Sequence, residues 1–281
     1  MESFINFNGK VLKNDKPIIY ADNHSFRYGD GCFENLKILN GKIILEAYHW
    51  ERLFISLQIL QFNKPNFFIS HKFRDEIIEL SKKNKHKKAA RVRITIARGN
   101  GGLYDVEDHF PNYVIQTWDL NSMNNHFNEN GLTVDFYWQA KKSYDTFSHL
   151  KTNNFLCYTM AALWAKENKL NDAIILNTSN RVADTTLANI FIVDNNIIKT
   201  PPLSEGCISG VLRKYLLKSL KENNIPFEEK PLTIEDVLQA SEVFFTNSVY
   251  GIRWVKEIGN TKYNFTISKQ LHNKFIVPLY F

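Results

Sequence analysis

The chain has 281 residues and a formal net charge of +6, with 44% hydrophobic and 23% charged residues, 21 Phe and 12 Tyr. That balance builds one large core or two smaller ones and excludes a disordered chain. No apolar run approaches the roughly 18 residues of a membrane helix. The cysteines Cys32, Cys157 and Cys207 lie far apart without a CxxC pair, which argues against both a zinc site and a disulfide framework.

The chain opens with MESFINFNGK, which has no basic region, apolar stretch or small-residue cleavage site, so no signal peptide is expected and the location implied is cytoplasmic. FENLKILNGKIILEA is two apolar runs joined by Asn40-Gly41, which predicts a hairpin because both turn residues tolerate positive φ. In EAYHWERLFISLQILQ, Leu53, Leu57 and Leu60 recur at helical spacing. FRDEIIELSKK is also apolar-periodic and runs into the basic stretch Lys82–Lys88 (KKNKHKK). That stretch has no interleaved aromatics and reads as the solvated, dipole-complementing end of a helix; no nucleic-acid partner is expected. ARVRITIARG (Ala90–Gly99) alternates as a strand, with Val92, Ile94 and Ile96 on one face and Arg91, Arg93 and Thr95 on the other. PNYVIQTWDL is a further strand.

The polar segment Asn121–Gly131 reads as a connector, dividing an N-terminal α/β domain (1–120) from a C-terminal domain (132–281). Beyond it, LTVDFYW predicts a strand. A helix is predicted from Asn154 to about Asn168, with Leu156, Met160 and Leu163 marking its apolar face. Strands follow at AIILN and NIFIVDNNIIKT, then a helix from about Gly210 to Asn223. Thr233 and Asp236 form a capping-box pattern, and EVFFTNS is a last strand. Together the pattern predicts an α+β chain of two domains with a cleft between them.

Lys151 stands just ahead of the helix that begins near Asn154, and alone it reads as a solvated residue. The downstream sequence adds three features. NRVADTTLANIFIV holds an acid, Asp184, beside an apolar strand. TPPLSEGCISGVLRKYL is a loop opening into a helix, where Gly206 and Gly210 permit close backbone approach and the first N–H groups form an anion site. EVFFTNSVYGIRWV ends its strand in Thr246, Asn247 and Ser248. An amine, a carboxylate and two phosphate cradles are the parts that pyridoxal phosphate (PLP) chemistry needs.

In order, Lys-Thr-x-Asn, Asn-x-x-x-Asp-x-x-x-x-Asn-Ile-Phe, Gly-Val-x-Arg and Glu-Val-Phe-x-Thr-Asn-Ser resemble the fold-type IV PLP enzymes, the class-IV aminotransferases. That family includes branched-chain and D-amino acid aminotransferases and aminodeoxychorismate lyase. FRYGDGCFENLK and HWERL are similar to the family's N-terminal motifs, and the likeness runs from about Arg27 to Val255. It implies a small N-terminal α/β domain, a larger C-terminal PLP-binding domain with the site in the cleft, and a homodimer. It also implies that Lys151 is the Schiff-base lysine, that Arg52 binds the cofactor phosphate, and that the helix-start residues Val211 and Leu212 and the pair Asn247 and Ser248 assist. One branch of the family has a Thr where Leu212 offers only its N–H.

Asp184 falls on the residue that holds a proton on the pyridine nitrogen, where the family usually has Glu. Being one methylene shorter, it implies a closer ring or an intervening water. Tyr28 and Phe33 match substrate-pocket positions. Arg93 matches the branched-chain branch, whereas Arg98-Gly99 matches the D-amino acid and lyase branches, and their odd spacing puts them on opposite faces of the strand. The expected activity moves an amino group from a branched-chain-like amino acid to a 2-oxo acid, with no metal. Release of pyruvate and 4-aminobenzoate from aminodeoxychorismate is the alternative. A non-catalytic binding or regulatory relative, suggested by Asp184 and Leu212, is a third.

Overall fold

Side-chain alternation builds the first sheet. Its strands are β1 (Phe4–Phe7), β2 (Lys10–Lys13), β3 (Gly31–Leu39), β4 (Lys42–Ile43), β5 (Ala89–Ala97) and β6 (Asn112–Asp119), in the antiparallel order β2-β1-β6-β5-β3-β4. Asn40 and Gly41 turn β3 into β4 with φ of 49° and 77°, the left-handed pair that a two-residue hairpin requires. Helix α1 (His24–Tyr28) precedes β3, and α2 (Glu46–Ile59) and α3 (Ser70–Lys83) follow β4. Val92, Ile94 and Ile96 of β5 pack with Leu53 and Leu57 of α2 and Phe73, Ile77 and Leu80 of α3 in one buried cluster, as the periodicities predict. Each such side chain contributes about 1.5–3 kcal/mol by leaving water. The other face of the sheet carries Phe33, Asn35, Arg91, Arg93 and Thr95. Lys82 and Lys83 end α3, and Lys82, Lys83, Lys85 and Lys88 are exposed, as a solvated helix end requires.

The structure is a computed structural model that describes residues 3–86, 88–102, 109–121 and 126–280. It separates into two units, one of residues 1–123 with 150–154 and one of 124–149 with 155–281. The expected boundary therefore shifts in one respect: the short segment carrying Lys151 groups with the N-terminal unit. Phe33 donates its N–H to the Lys151 carbonyl (2.9 Å) and Asn153 donates to the Gly31 carbonyl (2.9 Å), so this segment lies along the start of β3. Part of the expected connector, 122–125, is outside the described residues. Its C-terminal part is no bare linker, because the Asn128 carbonyl accepts from the Trp254 indole at 2.7 Å.

The second unit is built on a mixed sheet of nine strands. In chain order these are β7 (Leu132–Lys142), β8 (Asp172–Asn177), β9 (Val182–Thr185), β10 (Asn189–Asp194), β11 (Ile197–Thr200), β12 (Phe227–Glu229), β13 (Glu242–Asn247), β14 (Gly251–Ile258) and β15 (Thr261–Lys262). The segment NIFIVDNNIIKT, which reads as one strand, is a hairpin: Asn195 and Asn196 take φ of 49° and 62° and fold β10 onto β11. Helices α4 (Leu156–Glu167), α5 (Val211–Glu222) and α6 (Ile234–Gln239) complete the parts used below. Thr233 and Asp236 form the reciprocal capping box at the start of α6.

Helix α4 corrects one expectation. Leu156, Met160 and Leu163 are 68%, 44% and 49% exposed, and the helix packs instead through Tyr158, Ala161 and Ala165. Two alanines let the helix axis approach Tyr137 and Ile175 of the sheet, which the bulkier apolar stripe would prevent. Among the described residues, no helix is long and apolar enough to cross a membrane.

Candidate active site

Glu34 points from β3 into the core of the first unit, where an unpaired carboxylate is very costly. Its partners come from one face of α2, since His49 and Arg52 are three residues apart. Arg52 grips it with two parallel bonds, Nε to Oε1 at 2.7 Å and Nη2 to Oε2 at 2.6 Å. His49 Nδ1 lies 2.8 Å from Oε2. Burial alone would push the Glu34 carboxyl up, but the Arg52 charge and the bonds from Arg52 and His49 outweigh it and hold it down at about 2. Burial lowers the proton affinity of His49 against the pull of Glu34, so its ring is neutral and Nδ1–H donates to the carboxylate. The fork fixes the plane of the Arg52 guanidinium.

On the opposite face of the same strand, Phe33 meets two cations. Lys151 Nζ is 4.7 Å from its ring centre and the Arg93 guanidinium carbon is 3.7 Å away. Arg93 Nε also donates to Thr95 Oγ1 at 3.0 Å. Burial and the neighbouring Arg91 charge push Arg93 down to about 10, which leaves it cationic at neutral pH. A cavity of about 880 Å³ opens on this face, lined in part by Tyr20, Phe26, Arg93, Thr95 and Asn153. Tyr28 ends α1, partly exposed, with its ring 4.8 Å from that of His24.

Arg98 is on the other side, as the odd spacing predicts. Its guanidinium stacks on Phe62 and bonds Asp30 (2.9 Å), His109 (2.8 Å) and the Leu60 carbonyl, so this arginine ties loops together. Of these two arginines, Arg93 is the one that shares the face of Phe33.

In the second unit, Asp184 lies on β9 with a buried side chain. Oδ2 accepts from the Ile208 N–H (2.7 Å) and the Tyr158 hydroxyl (3.0 Å), and Oδ1 accepts from Asn189 Nδ2 (2.9 Å). Lys142 Nζ stands 3.5 Å from Oδ2. Tyr158 is pushed well up by burial and by Asp184, so its phenol keeps the proton it donates. Asp172 holds the next turn, accepting from Thr185 Oγ1 at 3.0 Å and Thr186 Oγ1 at 2.6 Å. Asp184 is thus a fixed, buried carboxylate.

Asn189 joins this carboxylate to the start of α5. Its amide also donates to the Ile208 carbonyl at 2.7 Å, and a Cβ on Gly210 would fall 1.8 Å from Asn189 Oδ1. Gly210 is the residue before the helix and has no side chain to cap the first N–H groups of α5, an arrangement suited to an anion. The side chains of Val211 and Leu212 are buried, so each faces a ligand only through its backbone. Replacing Gly210 with Ala is expected to lower stability by about 1–3 kcal/mol by overpacking against Asn189, and to weaken PLP uptake; denaturant melts with and without the cofactor measure both. Thr246 is the register partner of Asn189, and its buried hydroxyl has no hydrogen-bond partner among the described residues. The Asn247 side chain holds its own loop, donating to the Leu187 carbonyl at 2.5 Å and accepting from Val249 N–H at 2.8 Å, and Ser248 follows in the turn.

Sequence reading singled out neither Glu34, His49, Tyr158, Asn189 nor Lys142. Glu34, His49 and Asn189 sit inside the FENLK, HWERL and NRVADTTLANIF motifs and were within reach. Tyr158 and Lys142 have no local signature. Among the described residues no cluster of His, Cys, Asp or Glu is placed to hold a metal. In the first unit an amine beside an aromatic ring and a forked arginine, and in the second a buried carboxylate, a helix start preceded by glycine and a buried hydroxyl, are each of a chemistry that suits one group of PLP.

Known proteins agree. The family model for amino-transferase class IV matches residues 31–258. A putative branched-chain-amino-acid aminotransferase of Methanocaldococcus jannaschii is 28% identical over 278 residues, covering 96% of this chain and 94% of that one. An aminodeoxychorismate lyase of Vibrio harveyi is 28% identical over 251 residues, covering 87% and 90%. The branched-chain aminotransferase of Thermoproteus uzoniensis, solved with norvaline, has the same fold, with a TM-score of 0.86 at 21% identity over 98% of this chain and 94% of that one. The chain therefore belongs to the class IV aminotransferases. It is a PLP-dependent aminotransferase with the α+β fold of that family.

Proposed function

We propose that the chain moves the amino group of a branched-chain-like amino acid to a 2-oxo acid, with Lys151 as the point of PLP attachment. The observation that carries this reading is the Phe33 ring, against which both the Lys151 amine and the Arg93 guanidinium lie. When bound, PLP supplies an electron sink for the pair released at the substrate Cα. Lys151 Nζ moves the proton to and from that carbon. Arg93 pairs with a substrate carboxylate, while Phe33 and Tyr28 offer apolar surface to the side chain. Arg52, held by Glu34 and His49, takes the phosphate, with the N–H groups of Val211 and Leu212 and the Asn247-Ser248 turn in support. Asp184 holds the proton on the ring nitrogen.

The relatives named branched-chain aminotransferases favour this donor class. The exposed stripe of Leu156, Met160 and Leu163 on α4 supports a homodimer, since burying it in a second copy removes apolar surface from water. Three unpaired thiols support a cytoplasmic location.

The test is a donor panel on the PLP-loaded protein with 2-oxoglutarate as acceptor. Leucine, isoleucine and valine are expected to turn over faster than D-alanine. Release of 4-aminobenzoate from aminodeoxychorismate, with no transfer from leucine, replaces the reading with the lyase activity of the Vibrio relative. Arg93→Gln is expected to raise KM about 10- to 100-fold, as loss of one charged hydrogen bond predicts. An unchanged KM removes Arg93 from substrate binding.

A further inference from the structure

Lys142 closes β7, and no role above uses it. Its side chain is only 9% exposed, and its ammonium lies 3.5 Å from Asp184 Oδ2 and 5.0 Å from the centre of the Tyr158 ring. Nζ has no hydrogen-bond partner of good geometry among the described residues, so it meets Asp184 as a charge. The groups that face it are Asp184 on β9, Tyr158 and Cys157 on α4, and Cys207 in the loop before α5. Burial pushes up Tyr158, Cys157 and Cys207, which keeps all three neutral. Among the described residues that face Lys142, Asp184 is therefore the anion that meets this cation.

A hydrophobe of Lys142's length would fill the same space without taking a charge out of water, so stability alone does not account for a lysine there. Nor does Asp184 need it for orientation. The Ile208 N–H, the Tyr158 hydroxyl and the Asn189 amide already fix the carboxylate at 2.7 Å, 3.0 Å and 2.9 Å. What these three neutral donors do not provide is a full positive charge.

We propose that Lys142 is a positioning residue of the reaction, a fixed cation that acts through Asp184 to weaken the carboxylate's hold on the proton of the cofactor's ring nitrogen. The inference rests on the assignment of Asp184 to that nitrogen. A lone carboxylate directs its whole field at the ring proton. One shared with an ammonium divides its field between two cations, and the ring proton is held less tightly. Burial lowers the proton affinity of Lys142 and Asp184 restores it, so the two charges stand or fall together.

The test uses the PLP-loaded protein and reads the pH midpoint of the cofactor's visible absorbance together with kcat and KM. Lys142→Met is expected to raise the midpoint by about one unit and to lower kcat several-fold with KM for the donor unchanged. Lys142→Arg, which keeps the charge, is expected to restore the parent midpoint. In an Asp184→Asn background Lys142→Met is expected to add no shift, because the buried amine without its counter-ion gives up its proton. A Lys142→Met protein with the parent midpoint and kcat overturns the proposal, as does a further shift in the Asp184→Asn background. If Lys142→Met does not fold, the comparison of Asp184→Asn with the double variant, which removes both charges, decides alone. Failure of the underlying reading looks different: Asp184→Asn then leaves the parent midpoint where it was.

Discussion

Lys151→Ala is expected to give a folded protein that has lost its covalently held cofactor and lowers turnover by about 10⁴-fold or more, the upper range for a positioned acid–base group. The fold survives because the structural part of this residue is its backbone: the carbonyl accepts the Phe33 N–H at 2.9 Å, and alanine keeps that bond. In the proposed function the amine is the part that reacts. Its neighbours, the Phe33 ring and the Arg52–Glu34–His49 group, remain in place, so PLP still binds without being attached. Borohydride trapping followed by peptide mass analysis reads attachment directly, and circular dichroism reads the fold. A label found on another lysine of the Ala variant, with turnover retained, removes Lys151 from the reaction.

The parts of the molecule that were legible in the sequence are those decided by neighbours in the chain. Asn40-Gly41 turns, β5 alternates and Thr233 caps α6 because each depends on residues within a few positions. The start of α5 at Gly210 belongs with them. The misjudged face of α4 shows the limit of periodicity. A stripe of Leu156, Met160 and Leu163 is a larger hydrophobic signal than Ala161 and Ala165, yet the close approach of the helix to its sheet depends on small side chains. Buried charges were hidden for a different reason. Glu34 and Arg52 are 18 positions apart, and the Tyr158 and Ile208 groups that hold Asp184 lie 26 and 24 positions from it, so no local window contains those pairs; Asn189, five positions away, is the exception. Arg93 and Arg98 were separable into two faces by strand period, but only the structure gave Arg98 its intramolecular partners.

The second large effect concerns the group that aims Arg52. Glu34→Gln is expected to destabilise the protein by about 3–5 kcal/mol, because it leaves the Arg52 guanidinium in a mostly buried position without its counter-charge. The amide also presents an N–H₂ where one edge of the Arg52 fork needs an acceptor, so at most one of the two bonds is kept. The acid limb of the stability curve gives an independent check. The Glu34 carboxyl is lowered from 4.5 to about 2 in the fold. A lowered carboxylate contributes stability that is fully present above the unfolded value and is lost as pH falls through the folded one, so the window lies between about pH 4.5 and 2. The shift corresponds to roughly 3 kcal/mol across that window. Thermal melts from pH 7 downward should therefore show the parent losing stability steeply in this range and Glu34→Gln, already weakened at pH 7, losing much less. PLP affinity should fall with it even though Lys151 is intact, since the phosphate then meets an arginine no longer held in one plane. A Gln variant with the parent's pH 7 stability and acid slope would mean that Arg52 does not depend on Glu34 for its position, and the phosphate assignment would lose its structural support.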